Sequence, residues 1–202
     1  MTNTLLYFFV SYVIGSLPTG YLAALSMGRG SIFNPGERTP KNTGDIFALL
    51  GIKMGLFVTF LDLLKGLIVA GPLDTWIIGP HIEHDWTIVS TGGLLAVIGH
   101  CNSPWLGFRG GRGVAPSFGV LFMILPGPAL ISAIIWGCLS FWGLSTSPGA
   151  VSAAAAMPVI SVPWVMFYQN EKLYYLFPVA FLSLWTLFEH RKNLKAYLGI
   201  KD

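Results

Sequence analysis

Apolar residues run along this chain in solid blocks of about helix length, and the blocks are separated by short clusters of Gly, Pro and charge. A helix that is apolar on every side has no water-facing surface, and crossing the ~30 Å hydrocarbon layer takes about 20 such residues. The pattern predicts an all-α integral membrane protein with seven transmembrane helices, at roughly 4–26, 46–71, 86–100, 113–126, 128–144, 149–168 and 173–190. The third and fourth are short, and only P-G-P at 126–128 separates the fourth from the fifth. The opening M-T-N-T-L-L-Y-F-F-V lacks the basic start of a cleaved secretory signal, and its apolar run continues too far for one. It is expected to stay as the first span.

Composition agrees with the pattern. The chain has 202 residues, 53% hydrophobic and 10% charged, with a mean hydropathy of +0.65, whereas a soluble domain carries about 25% charged residues. One integral domain over 1–202 is expected. Charge then orients the bundle. With seven spans, Arg29, Arg38, Lys41, Lys53, Arg109, Arg112, Arg191, Lys192, Lys195 and Lys201 sort to one face. Lys65 lies inside a span, and Lys172 falls on the opposite face with Asp74, Glu83, Asp85 and Glu171. Positive residues stay inside, so the N-terminus is predicted outside and the C-terminus cytoplasmic. Merging the fourth and fifth spans would move the C-terminal basic cluster onto the acidic face. The net charge of +3 is thus a topological signature and points to no nucleic acid. Cys101 and Cys138 stand too far apart for a metal or redox motif and read as packing residues. The chain shows no internal repeat, so an inverted-repeat transporter has no positive support.

Three polar stretches fall on the basic face. The first is the long loop G-R-G-S-I-F-N-P-G-E-R-T-P-K-N-T-G-D at 28–45; in so economical a chain a loop of this length is functional or disordered. The second is G-F-R-G-G-R-G at 107–113, just before the fourth span. Its glycines leave backbone N–H groups unshielded, and with the helix N-terminus and the Arg109 and Arg112 guanidiniums it fits a small anion. A basic interfacial turn meeting lipid headgroups is the competing reading. Its glycine spacing matches neither the dinucleotide nor the Walker pattern. His100 lies immediately upstream in G-H-C-N-S-P, as a structural histidine or as part of the same site. The third stretch, E-H-R-K-N at 189–193, puts His190 one turn from Asn193 if the last helix continues. That pair fits a polar substrate and a proton acceptor, or an ordinary helix end. Asp62 and Lys65, at i and i+3 in the second span, are expected to pair toward the bundle, as a structural clasp or as the lining of a cavity.

These stretches resemble the PlsY-type acyl-phosphate:glycerol-3-phosphate acyltransferases, small seven-span bacterial membrane enzymes with three cytoplasmic motifs. The resemblance runs through the whole chain: G-S-L-P-T-G at 15–20, L-D-L-L-K-G at 61–66, G-H-C-N-S-P-W-L-G-F-R-G-G-R-G-V-A at 99–115 and E-H-R-K-N-L at 189–194. The third is the most specific. It reproduces the family's G-H-x-x-P and F-K-G-G-K-G-V-A with both lysines as arginines, which grip phosphate bidentately where lysine is a point charge.

The resemblance implies a multi-pass protein of the bacterial inner (plasma) membrane. It implies transfer of a fatty acyl group from acyl phosphate to the 1-hydroxyl of glycerol 3-phosphate, giving lysophosphatidic acid and phosphate. Its partners would be those two substrates and membrane lipid, with no metal or other cofactor and no CoA or acyl carrier protein. Glycerol 3-phosphate binding maps onto Gly110, Gly111 and Gly113, with Arg109 and Arg112 as phosphate partners, and the catalytic His and Asn map onto His190 and Asn193. The first motif departs from the family. Where members carry G-S-G-N-x-G-A-T-N and then an arginine, this chain has P-G-E-R-T-P-K-N-T-G-D, with Glu37 at the serine position and Ala48 at the arginine position. Arg38, Thr39, Lys41 and Asn42 lie near enough to stand in. Glu189 replaces the usual arginine before the histidine, and Asp202 stands near the place of a late glutamate. Two alternatives follow: a catalytically degenerate or altered-acceptor paralogue that binds a phosphorylated lipid or polyol, and a small anion transporter.

Overall fold

The computed structural model describes residues 2–29, 43–79, 85–141, 146–168 and 173–191. Among them are nine α-helices and two short 3-10 turns, and no strand. They divide into two compact units, Met1–Val120 and Leu121–Asp202. Three helical stretches are long and apolar enough to cross a membrane, Asn3–Ser26, Gly44–Ala70 and Pro148–Tyr168, and Val114–Ile124, Pro126–Ser140 and Leu173–Glu189 are shorter apolar helices. Many large apolar side chains, such as Leu5, Phe9, Phe57 and Phe60, are exposed, as lipid-facing residues must be.

The first unit contains α1 (Thr2–Ser16), α2 (Thr19–Ser26), α3 (Thr43–Ala70), the short α4 (Pro72–Ile77), α5 (Trp86–Cys101) and the start of α6 (Val114–Ile124). The expected first span over 4–26 is therefore broken. Pro18 has no N–H to continue the ladder and disfavours a helical Leu17. At φ −85° and ψ 70° it forms an inverse γ-turn, closed by the Thr19 N–H on the Leu17 carbonyl at 3.0 Å. The second span holds its expected range, with a kink at Gly51, where φ is +80°.

Helix backbones in this unit touch directly. A Cβ at Gly15 would lie 2.0 Å from the Ala96 carbonyl oxygen, and one at Gly99 2.4 Å from that of Tyr12, so α1 and α5 meet at glycine on both sides. At Gly92 the missing side chain admits the Tyr7 ring, whose hydroxyl donates to the Val69 carbonyl of α3 at 2.9 Å. Helices α3 and α6 cross where Gly66 meets the Pro116 carbonyl and Gly119 the Leu63 carbonyl, each leaving only 2.1 Å for a Cβ. Lipid offers no hydrophobic drive for helices to associate, so close backbone packing at small residues takes its place.

The second unit contains the rest of α6, then α7 (Pro126–Phe141), α8 (Thr146–Tyr168) and α9 (Leu176–Glu189). The break expected at P-G-P is present, with Leu125 between α6 and α7. Helix α8 packs on both α7 and α9, around Ala129, Ala153, Met157, Val179 and Leu182.

Candidate active site

The stretch between α5 and α6 carries most of the expected site, and its shape follows from local chemistry. Helix α5 ends at Cys101, and Asn102 caps it by donating its backbone N–H to Ile98 (2.8 Å). The chain is then fastened to the end of α1. Tyr12 donates to the Asn102 carbonyl at 2.9 Å, Ser103 Oγ to the Ser16 carbonyl at 2.6 Å, and Trp105 Nε1 to Ser16 Oγ at 3.1 Å. A single 3-10 turn, Pro104–Leu106, is followed by two left-handed residues, Gly107 (φ +63°) and Phe108 (φ +59°). Glycine takes that conformation freely, and a phenylalanine there is strained. It is held by its N–H on the Ser103 carbonyl at 2.8 Å.

This reversal lays Gly110 and Gly111 back over the last turn of α5. A Cβ at Gly110 would lie 2.1 Å from the His100 carbonyl oxygen, one at Gly111 2.2 Å from His100 Nε2, and the Gly111 N–H donates to the His100 carbonyl at 3.2 Å. The sequence suggested unshielded N–H groups here, and for Gly111 that is corrected: its N–H has a partner inside the protein. These two glycines are required by close packing against His100. Gly113 (φ +77°) turns the chain into α6, whose first-turn N–H groups have no intrahelical acceptor. Arg109 is exposed and Arg112 half-buried.

Behind His100 lies a buried charged cluster. Lys65 Nζ stands 2.6 Å from Asp62 Oδ1, so the expected i,i+3 pair forms, with Asp62 8% and Lys65 5% exposed. Two partners come from elsewhere in the chain. Thr19 Oγ1 donates to Asp62 Oδ1 at 2.5 Å, and His100 Nδ1 lies 3.4 Å from the same oxygen. Lys65 also donates to the Leu17 carbonyl at 2.6 Å, an acceptor exposed by the Pro18 break, and to Thr19 Oγ1 at 3.2 Å. Thr19 and the Leu17 carbonyl were missed by sequence reasoning. The signal for them was the proline within G-S-L-P-T-G, which frees a carbonyl and redirects a hydroxyl.

His190 belongs to the second unit. It is 2% exposed and caps α9, with its N–H on the Thr186 carbonyl at 3.1 Å. Helix α9 ends at Glu189 with His190 as its cap, and the residues that would continue the one-turn spacing to Asn193 lie outside the described ones. Arg191 is drawn back over that end, donating to the Phe188 carbonyl at 2.8 Å with its guanidinium 4.0 Å from the Phe188 ring centre. Ser183, Thr186 and His190 form a buried polar line along the lower half of α9. Asn193, Arg38, Thr39, Lys41 and the departing part of the first motif lie outside the described residues. The structure thus joins His100, Gly110 and Gly111 to Asp62, Lys65 and Thr19.

These features define a class: a helical integral membrane protein whose basic glycine loop is built onto a half-buried histidine and a buried ion pair. Comparison with known proteins narrows it. The family model for glycerol-3-phosphate acyltransferase matches residues 5–199, and this chain belongs to that family. Among curated relatives, the glycerol-3-phosphate acyltransferase of Synechococcus is 30% identical, over 98% of this chain and 93% of its own length. The enzyme of Campylobacter concisus is 28% identical, over 100% and 98%. Two crystal structures of PlsY, an integral membrane glycerol 3-phosphate acyltransferase, are similar throughout. Its glycerol 3-phosphate form superposes with a TM-score of 0.77 and its lysophosphatidic acid form with 0.74. Each is 26% identical and covers 98% of this chain and 94% of the other.

Proposed function

We propose that this protein transfers a fatty acyl group from acyl phosphate to the 1-hydroxyl of glycerol 3-phosphate, releasing lysophosphatidic acid and inorganic phosphate for phospholipid synthesis. Family membership over nearly the whole chain carries this reading, together with the likeness to a protein crystallised in glycerol 3-phosphate and lysophosphatidic acid forms. The hydroxyl oxygen attacks the acyl carbon, the carbon–oxygen bond to phosphate breaks, and the hydroxyl proton passes to a base. In this reading Arg109, Arg112 and the backbone of Gly110 and Gly113 hold phosphate, with Gly111 fastened to His100 beneath them. His190 and Asn193 position the hydroxyl, and the acceptor of its proton is His190 or a phosphate oxygen. Arg38, Thr39 and Lys41 supply the polar contacts of the first motif. Preorganised N–H groups and guanidiniums favour the charge that develops at the acyl carbonyl.

Seven spans, an outside N-terminus and a cytoplasmic C-terminus in a bacterial inner membrane complete the proposal. The sorting of basic residues supports that orientation. The substituted first motif favours a second reading, an altered-acceptor or non-turnover paralogue. Purified protein given palmitoyl phosphate and glycerol 3-phosphate decides between them, with phosphate and lysophosphatidate both measured. Turnover is expected, with His190→Ala lowering kcat about 10²–10⁴-fold and Arg112→Ala raising the KM for glycerol 3-phosphate about tenfold or more. Folded parent protein that binds glycerol 3-phosphate without acylating it would establish the second reading. Labelled phosphate flux into vesicles without acylation would establish transport.

A further inference from the structure

We propose that Asp62 acts through His100 as a positioning residue for glycerol 3-phosphate, setting the height and angle of the Gly110–Gly111 backbone in the anion loop. This rests on the acyltransferase reading above and gives a role to Asp62, Lys65 and Thr19, which none of the three motif assignments uses. The loop touches one α5 residue in three ways. Gly110 packs on the His100 carbonyl, the Gly111 N–H donates to that carbonyl at 3.2 Å, and the Gly111 Cα faces the Nε2 edge of the ring so closely that a Cβ would sit 2.2 Å away. The imidazole edge and Gly111 therefore pack with no room for a side chain between them.

The opposite edge of the ring is fixed by charge. Nδ1 stands 3.4 Å from Asp62 Oδ1, and a carboxylate there keeps the proton on Nδ1 and the ring in one plane. Asp62 is itself held by two partners, one on its own helix and one on α2. Lys65 lies at 2.6 Å and Thr19 at 2.5 Å on the same oxygen, and Lys65 is anchored to the Leu17 carbonyl at 2.6 Å. Well-packed apolar residues stabilise a fold as well as a buried ion pair does. What an apolar trio lacks is a directed contact to a ring edge. The cluster thus runs in one line from the Pro18 break through Asp62 and His100 to the glycines beside Arg109 and Arg112.

The test is a two-substrate kinetic comparison of the parent with Asp62→Asn, His100→Gln and Thr19→Val, in detergent or nanodiscs. Asp62→Asn and His100→Gln are expected to raise the KM for glycerol 3-phosphate about tenfold, and Thr19→Val about threefold, with the KM for palmitoyl phosphate nearly constant. A cluster that only supports the fold would lower the active fraction, so Vmax would fall with both KM values unchanged, and that result overturns the proposal. If Asp62→Asn fails to fold, Thr19→Val and His100→Gln decide by the same split. Gly111→Ala and His100→Ala combined should cost less than the product of their separate effects, because removing the ring makes room for the methyl. Full additivity would show that the loop does not rest on the ring. A parent that binds glycerol 3-phosphate by calorimetry without acyl transfer defeats the acyltransferase reading alone, and the variants are then compared by Kd for glycerol 3-phosphate. Unchanged Kd values would overturn the positioning role.

Discussion

A methyl group at Gly66 in the first unit would sit 2.1 Å from a backbone oxygen, that of Pro116, whereas one at Gly127 in the second would meet the outer edge of the Trp164 ring at 2.5 Å. The contrast extends to several helix crossings. In the first unit Gly15, Gly66, Gly99, Gly110 and Gly119 each face main-chain atoms of another segment, and polar side chains tie α1, α3 and α5 together. In the second, an aromatic ring faces Gly127, the Ser140 hydroxyl at 2.8 Å and then the Trp136 carbonyl oxygen at 3.0 Å face Gly149, nothing stands within 4 Å of Gly137, and Ser132 donates to a methionine sulfur at 3.3 Å. Backbones in contact cannot slide without breaking several contacts at once, while side chains between helices can repack. The unit with the anion loop is thus the one whose geometry is held by main chain.

The strongest way to break this contrast is to remove one charge from the first unit's cluster. Lys65→Met keeps most of the side-chain volume and leaves the Asp62 carboxylate buried without its cation. Truncating one partner of a buried pair costs about 3–5 kcal/mol, so a large fall in Tm or in the denaturant midpoint is expected in micelles. Loss of less than about 1 kcal/mol, the value of an exposed pair, would show that water reaches the cluster.

Next in size is Gly66→Ala. Its Cβ collides with the Pro116 carbonyl and with the Val120 nitrogen at 2.7 Å, so α3 and α6 have to separate. A cost of about 1–3 kcal/mol is expected, although alanine is the better helix former. An unchanged Tm for folded Gly66→Ala would mean that the two helices are not held backbone to backbone.

Helix ranges and the Asp62–Lys65 pair were legible in the sequence, because hydrophobic block length and i,i+3 spacing are local properties. The break at P-G-P was legible for the same reason. The break at Leu17–Pro18 was not, since the apolar run continues across it and block reading passes over a lone proline. Thr19 and His100 are 43 and 38 residues from Asp62 by number, so their meeting depends on how α2 and α5 pack against α3, which no local pattern encodes. Gly110 and Gly111 were singled out for a reason that differs in part from the one the structure gives. Spacing suggested backbone exposed to an anion, while the structure shows glycine demanded by His100. For His190 the residue was legible as the last polar group of an apolar helix, and the end of α9 at Glu189 falls within one residue of the expected 190.

The smallest effect sharpens the contrast from the other side. Gly137 lies inside α7, and an added Cβ there meets nothing within 4 Å. Alanine loses less conformational freedom than glycine on entering a helix, by about 0.5–1 kcal/mol in its interior. With no collision to offset that gain, Gly137→Ala should raise Tm by a small amount and leave both KM values unchanged. The same change at Gly66 should lower Tm. One substitution thus carries opposite signs in the two units, with backbone clearance as the variable that differs. A folded Gly137→Ala protein with a lowered Tm would mean that α7 has a close neighbour at that position, and the looser packing assigned to the second unit would fail with it.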